Sequence, residues 1–105
     1  MILKIKLGKR IQELRLKNKY KQSELAELVG IATKTQSCIE TGKNYPSAEL
    51  IEKYAKAFNI ELAEVINISH IKTDDEILEN IQNLISKADK EQLTLIYKII
   101  KGIIL

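Results

Sequence analysis

The side chains best suited to chemistry in this chain lie between Lys21 and Asn44, and they act by hydrogen bonding. The sequence holds no nucleophile paired with a base, no HExxH, no Walker loop, no GxGxxG after a strand and no cysteine cluster. We therefore expect a binding protein rather than an enzyme, with no catalytic residue, metal site or cofactor. Four polar residues recur at i, i+1, i+4 and i+5, on one face of a helix: Thr33, Lys34, Ser37 and Cys38.

Two short predicted helices position these polar residues. In the first, apolar residues between Leu25 and Val29 recur at i, i+3 and i+4, which gives one buried stripe. Gly30 ends this helix, because glycine adopts the positive φ of a helix C-terminus without a Cβ penalty. The second helix runs from Thr33 to Thr41 and ends at Gly42. A short glycine-containing turn between two steeply inclined helices is typical of a helix-turn-helix.

A set of residues in register from one helix to the next makes the pattern specific. The set consists of Gln22, Glu24, Leu25, Ala26, Gly30, Ile31, Ile39, Glu40, Gly42, Lys43, Pro46 and Ser47. With these residues the chain resembles the helix-turn-helix domain of the phage Cro and lambda repressor family, also called the XRE type, from about Leu7 to Ile66. The resemblance implies an all-α fold with a five-helix lambda-repressor-like DNA-binding domain over residues 1–68.

The resemblance also implies roles for the matched polar positions. Lys34 is expected to donate to guanine O6 and N7 from the recognition helix, which is the second helix of the motif. Arg15 and Glu40 occupy the positions of an ion pair that joins the first helix to the end of the recognition helix. The positions expected to contact bases are Thr33, Lys34, Thr35, Ser37 and Cys38. The positions expected to contact backbone phosphates are Lys21, Gln22, Thr41, Lys43 and Asn44.

Three positions in the motif need separate interpretation. The family usually has a branched apolar residue in place of Gln36, so we expect this side chain at the rim of the core or turned toward DNA. Lys21 stands where the family usually has a capping Ser or Thr; lysine cannot cap a helix but can meet a phosphate. We interpret Cys38 as a small side chain tolerated at a base-contact position, with a redox switch as the alternative.

The last third of the chain is predicted to form a helical hairpin over residues 73–105, after a connector at 69–72. Capping boxes at 73–76 and 89–92 mark the starts of its two helices. Their apolar faces are too extensive to be buried against one partner helix. We predict that a second copy covers them, since a twofold dimer places two recognition helices about one DNA turn apart. The predicted dimerisation residues are Leu93, Ile96, Ile99, Ile100, Ile103 and Ile104.

Charge is unevenly distributed along the 105 residues. Residues 1–43 hold ten Lys or Arg against four Glu, whereas residues 70–105 hold five Lys against six acids. Positive charge concentrated in the helix-turn-helix segment is typical of a DNA-binding protein. The single cysteine excludes an intrachain disulfide. No apolar run reaches the roughly 20 residues that span a bilayer, so we expect a cytoplasmic protein without a membrane partner.

These patterns predict a sequence-specific regulator of transcription that binds double-stranded DNA, most simply a repressor bound to a palindromic operator as a homodimer. One alternative is a protein-interaction module, such as an antitoxin whose C-terminal helices bind a partner protein and whose DNA binding serves autoregulation. Another is that the hairpin folds back on its own N-terminal domain. A helix-turn-helix that has lost DNA binding is a further alternative, which the polar residue Gln36 raises.

Overall fold

The computed structural model describes residues 2–105, and all regular elements in that range are α-helices. The predicted all-α fold, with five helices followed by two, is confirmed. The chain divides into two compact units between Thr73 and Asp74. The helices are α1 Ile2–Lys17, α2 Gln22–Val29, α3 Thr33–Glu40, α4 Ala48–Phe58, α5 Leu62–Val65, α6 Asp74–Ile85 and α7 Lys90–Ile104.

Gly30 makes the turn between α2 and α3. Its φ of 77° is the left-handed conformation that favours glycine. The Gly30 N–H donates to the Glu27 carbonyl at 3.2 Å, and the Ile31 N–H donates to the Ala26 carbonyl at 2.9 Å. These two bonds satisfy carbonyls that the end of α2 leaves open. The helix can therefore end and the chain can reverse within three residues.

One apolar core holds the first unit together. Tyr54 and Phe58 of α4 stack with ring centroids 5.9 Å apart. α4 begins at Ala48, because the Ser47 hydroxyl accepts the Leu50 N–H at 3.1 Å. The core consists of Ile11, Leu14, Leu25, Val29, Ile39, Leu50, Tyr54, Ala55, Phe58 and Val65.

The first unit extends to Thr73, so residues 69–72, which we predicted as a connector, lie within it. Ile71 is buried, and the Lys9 ammonium donates to the Lys72 carbonyl at 3.1 Å. His70 Nε2 lies 2.8 Å from Glu13 Oε1. Burial of Glu13 acts to raise the pKa of its carboxyl, but hydrogen bonds from His70 and Arg10 outweigh burial and hold that pKa below its ordinary value.

The second unit consists of α6 and α7, which the structure describes in full and in which no residue is buried. The predicted capping box at the start of α7 is present: Asp89 Oδ1 accepts the Gln92 N–H at 2.8 Å, and Gln92 Oε1 accepts the Asp89 N–H at 3.0 Å. Among the described helices, none has the length and apolar character needed to cross a membrane.

Gly8 allows α1 to lie directly against the end of α3. A Cβ at this position would stand 2.2 Å from the Ile39 carbonyl oxygen and 2.9 Å from the Glu40 carbonyl oxygen. Both oxygens belong to the backbone, which cannot move aside as a flexible side chain can. The contact therefore requires glycine and sets the distance between α1 and α3.

Gly8→Ala should destabilise the first unit by about 1–3 kcal/mol, because the added methyl forces the two helices apart. Chemical denaturation followed by circular dichroism measures this loss. Gly102→Ala is the matched control, since a Cβ there meets nothing within 4 Å. It should cost nothing and gain up to about 1 kcal/mol of helix propensity. Equal stability of the two variants would contradict the close approach at Gly8.

Candidate nucleic-acid interface

The recognition helix α3 has an exposed polar side and a buried side. Thr33 and Lys34 are exposed at its N-terminal end, while Ser37 and Cys38 are partly exposed one turn later. Thr35 is partly exposed as well. The structure thus brings the five predicted base-contact residues together on one short helix. The buried side is formed by Gln36, Ile39 and Glu40.

The predicted phosphate-contact residues lie around the start of α2 and in the loop after α3. Lys21 is exposed before α2, and its backbone N–H donates to Glu24 Oε1 at 2.8 Å, while its own side chain caps nothing. Gln22 is half-buried, and its Nε2 donates to Glu40 Oε1 at 3.2 Å. An amide carries two N–H groups, so one of them remains to donate to a phosphate. Gln22 can therefore contact a phosphate while bonded to the recognition helix.

The loop after α3 carries Thr41, Lys43 and Asn44, all exposed. The backbone N–H groups of Lys43 and Asn44 donate to the Cys38 carbonyl at 2.8 and 3.3 Å. The Thr41 hydroxyl donates to the Ser37 carbonyl at 3.0 Å, so a phosphate contact through this hydroxyl requires that bond to be exchanged. The loop backbone is thus fixed to the end of α3, which directs its side chains.

The start of α1 supports the same loop. Gly42 has a φ of 79°, and a Cβ there would lie 2.9 Å from the Ile5 side chain. The Lys4 ammonium stands 5.5 Å from the centre of the Tyr45 ring, within the range of a cation–π contact. α1 therefore contacts the loop close to Lys43.

A buried ion pair joins α1 to the end of α3. Arg15 Nε and Nη2 donate to Glu40 Oε2 and Oε1 at 2.9 and 3.0 Å, a bidentate arrangement. The Glu40 side chain is only 1% exposed. Arg15 Nη1 also donates to the Tyr20 carbonyl at 2.9 Å, which fixes the guanidinium against the chain entering α2. The pair therefore orders both helices of the motif.

Gln36 is completely buried, so the expectation that it lies at the rim or turns toward DNA is wrong. Its Nε2 donates to Glu40 Oε2 at 2.7 Å, and its Oε1 accepts the Tyr54 hydroxyl at 2.5 Å. Both ends of the amide are satisfied, which removes the main cost of burying it.

No sequence-based prediction above includes the Tyr54 hydroxyl, because a tyrosine at an inward position of a helix is expected to act as an apolar core residue. The available signal is the presence of two polar-tipped residues, Gln36 and Tyr54, on the inward faces of adjacent helices. Burial, followed by the charge of Glu40, raises the pKa of Tyr54 well above its ordinary value. The hydroxyl therefore keeps its proton and acts as a donor.

Within residues 2–105, no group of three or more His, Cys, Asp or Glu side chains is arranged to hold a metal ion. Every buried side-chain nitrogen or oxygen in that part of the chain has a hydrogen-bond partner. The chemistry available to the exposed side of α3 and its flanks is thus hydrogen bonding and charge attraction to an anionic partner.

Known proteins are similar to this chain. A family model described as helix-turn-helix matches residues 11–69. RstR, the transcriptional repressor of the cryptic phage CTXphi from Vibrio cholerae, is 28% identical over 86 residues, which cover 82% of this chain and 78% of the repressor.

Two solved structures are similar across most of their own length. The restriction-modification controller protein C.AhdI from Aeromonas hydrophila has a TM-score of 0.59 and 32% identity, and the match covers 62% of this chain and 98% of the controller. A chain of the SinR protein–SinI protein complex has a TM-score of 0.58 and 26% identity, covering 91% of this chain and 95% of that chain.

Arg15→Met should destabilise the first unit by about 3–5 kcal/mol, because it leaves the Glu40 carboxylate buried without a cation. Urea denaturation measures the loss. Lys53→Met is the matched control, since Lys53 pairs with Glu49 at 3.8 Å on the exposed face of α4. That change should cost no more than about 0.5 kcal/mol. A loss as small for Arg15 as for Lys53 would show that the buried pair does not hold α1 on α3.

Proposed function

This chain belongs to the XRE-type helix-turn-helix family of DNA-binding transcriptional regulators, and we propose that it acts as a dimeric repressor on a palindromic operator. Members of this family are regulators rather than enzymes. The observation that carries the proposal is the exposed polar side of α3, backed by a fully bonded buried side. A repressor must share a compartment with the DNA that it binds, so we propose that this protein acts in the cytoplasm.

We assign recognition of the DNA sequence to the N-terminal end and the exposed side of α3. This end of a recognition helix enters the major groove, where each base pair presents a distinct pattern of donors and acceptors. Lys34 can donate to guanine, and the threonines on either side can offer a hydroxyl or a methyl to the neighbouring bases. Ser37 and Cys38, one turn further on, are short enough to let the helix approach the base edges.

Phosphate contacts hold α3 in that groove. Lys21 and Gln22 stand at the start of α2, where free backbone N–H groups also attract an anion. Lys43 and Asn44 extend from the loop that follows α3. Contacts from the start of α2 and from the loop after α3 would fix the register of the recognition helix on the duplex without reading sequence.

The apolar faces of α6 and α7 support the dimer. Ile103 and Ile104 are 78% and 74% exposed, and Leu93, Ile99 and Ile100 are exposed too. Exposed apolar side chains in such a continuous set mark an interaction surface. A second copy offers an identical surface, and pairing by twofold symmetry makes the two match.

A different protein bound to the tail is the second candidate, and the SinR neighbour favours it. That structure is a complex of SinR with the SinI protein, and its matched chain corresponds to this one over 95% of its length, a span that includes tail residues here. In this case α6 and α7 would bind a partner protein in place of, or in competition with, a second copy.

The wild-type chain should enrich an inverted repeat from a random pool of duplexes at about 0.15 M salt, and should have twice the mass of one chain in light scattering. Ile100→Gln/Ile103→Gln should give a monomer and enrich a single half-site, because it makes the apolar face polar. Lys98→Gln/Lys101→Gln also introduces two glutamines into α7, but away from the apolar face. This control variant should preserve both the dimer and the inverted repeat.

A wild-type monomer that enriches one half-site would reject the dimer but keep DNA reading. A chain that enriches no sequence would reject the repressor itself. If the Ile100→Gln/Ile103→Gln variant is still a dimer, the interface does not lie on this face of α7.

Lys34→Ala should lose discrimination at one base pair in each half-site, by about 1–3 kcal/mol, because its contact to a base edge is lost. Lys43→Ala should weaken selected and unrelated duplexes alike and lower the salt slope by about one per subunit, because its contact is to a phosphate. Titrations at several salt concentrations separate the two effects, with Lys87→Ala in the second unit as control. An unchanged site preference in Lys34→Ala would assign base reading to another residue.

A further inference from the structure

We propose that Gln36 and Tyr54 are positioning residues for DNA reading, whose hydrogen bond fixes the rotation of the recognition helix α3. Both residues are 0% exposed, so neither can touch DNA. The inference rests on the proposed function and adds to it two residues that act through the orientation of Thr33 and Lys34.

A continuous hydrogen-bonded chain crosses the core from α4 through α3 to α1. The Tyr54 hydroxyl donates to Gln36 Oε1 at 2.5 Å, and Gln36 Nε2 donates to Glu40 Oε2 at 2.7 Å. The same Glu40 carboxylate receives both bonds from Arg15. The recognition helix is thus bonded through side chains to a helix on either side of it.

The two polar residues on the buried side of α3 lie one helical turn apart, at Gln36 and Glu40. The first is held by Tyr54 of α4, and the second by Arg15 of α1 and Gln22 of α2. Apolar contacts are non-directional and tolerate a small rotation of a helix. Hydrogen bonds weaken steeply as they bend, so bonds on two successive turns resist that rotation. The exposed side of the helix is held at one angle as a result.

The direction of each bond follows from the chemistry of its neighbours. A carboxylate only accepts, so Gln36 must turn its NH₂ group toward Glu40 and its oxygen toward Tyr54. The hydroxyl of Tyr54 is protonated and supplies the matching donor. The two residues are therefore a complementary pair, and replacing one leaves a buried polar group unpaired on the other.

A packing role alone makes a different prediction from a positioning role. Leucine at position 36 and phenylalanine at position 54 would fill similar volumes without any hydrogen bond between them. If the pair only fills the core, this double change preserves DNA discrimination together with the fold. If the pair sets the rotation of α3, discrimination falls even where stability returns.

The test is a double-mutant cycle with Gln36→Leu, Tyr54→Phe and the double variant in the full chain. Two quantities are measured: the denaturation midpoint, and the ratio of Kd for an unrelated duplex to Kd for the duplex selected by the wild-type chain. Each single change should lower the midpoint and reduce the ratio by roughly three- to tenfold, the range of one lost hydrogen bond. The double variant should recover part of the midpoint, since neither residue leaves the other unpaired and Glu40 Oε2 still accepts from Arg15, but it should keep the reduced ratio.

A double variant with the wild-type ratio would overturn the positioning role, as would a folded Tyr54→Phe with the wild-type ratio. Tyr97→Phe is the matched control, because it removes the same hydroxyl from an exposed ring in α7 and should change neither quantity. Failure of the proposed function can be told apart from failure of the positioning role. If the chain does not bind DNA with sequence specificity, the wild-type chain itself gives a ratio close to one.

Discussion

The buried carboxylate of Glu40 is the constraint on which the rest of the first unit depends. A carboxylate that is 1% exposed is stable only when it is paired and hydrogen-bonded. Glu40 is also the last residue of α3, where the helix dipole disfavours negative charge. Its donors come from three places: Arg15 on α1, Gln22 at the start of α2, and Gln36 one turn earlier on α3. Satisfying one charge therefore brings the elements of the motif together.

Close packing makes that convergence possible. Gly8 lets the backbone of α1 approach the carbonyl oxygens at the end of α3, which brings Arg15 within reach of Glu40 two turns further along α1. A larger residue at position 8 would lengthen the guanidinium–carboxylate distance as well as open the core. The glycine contact and the ion pair are thus one structural unit, in which geometry and charge support each other.

The parts of the fold that follow from local chemistry could be predicted from the sequence. Gly30 ends α2, Ser47 caps α4 and Asp89 caps α7, and each depends only on residues a few positions away. Gln36 could not be placed, because its burial depends on a hydroxyl 18 residues along the chain. The assignment of individual residues to base or phosphate contacts remains a prediction, because the exposure of a side chain shows that DNA can reach it and not that DNA binds there.

The two units differ in the force that each offers to a partner. Residues 1–43 carry most of the positive charge, so attraction of this part to DNA weakens as salt rises. The second unit, residues 74–105, holds four Lys against six acids and displays apolar side chains, whose association salt does not screen. On the proposed function, salt would release the repressor from its operator as an intact dimer. Occupancy would then respond to ionic conditions through the DNA contacts alone, and to protein concentration or a competing partner protein through α6 and α7.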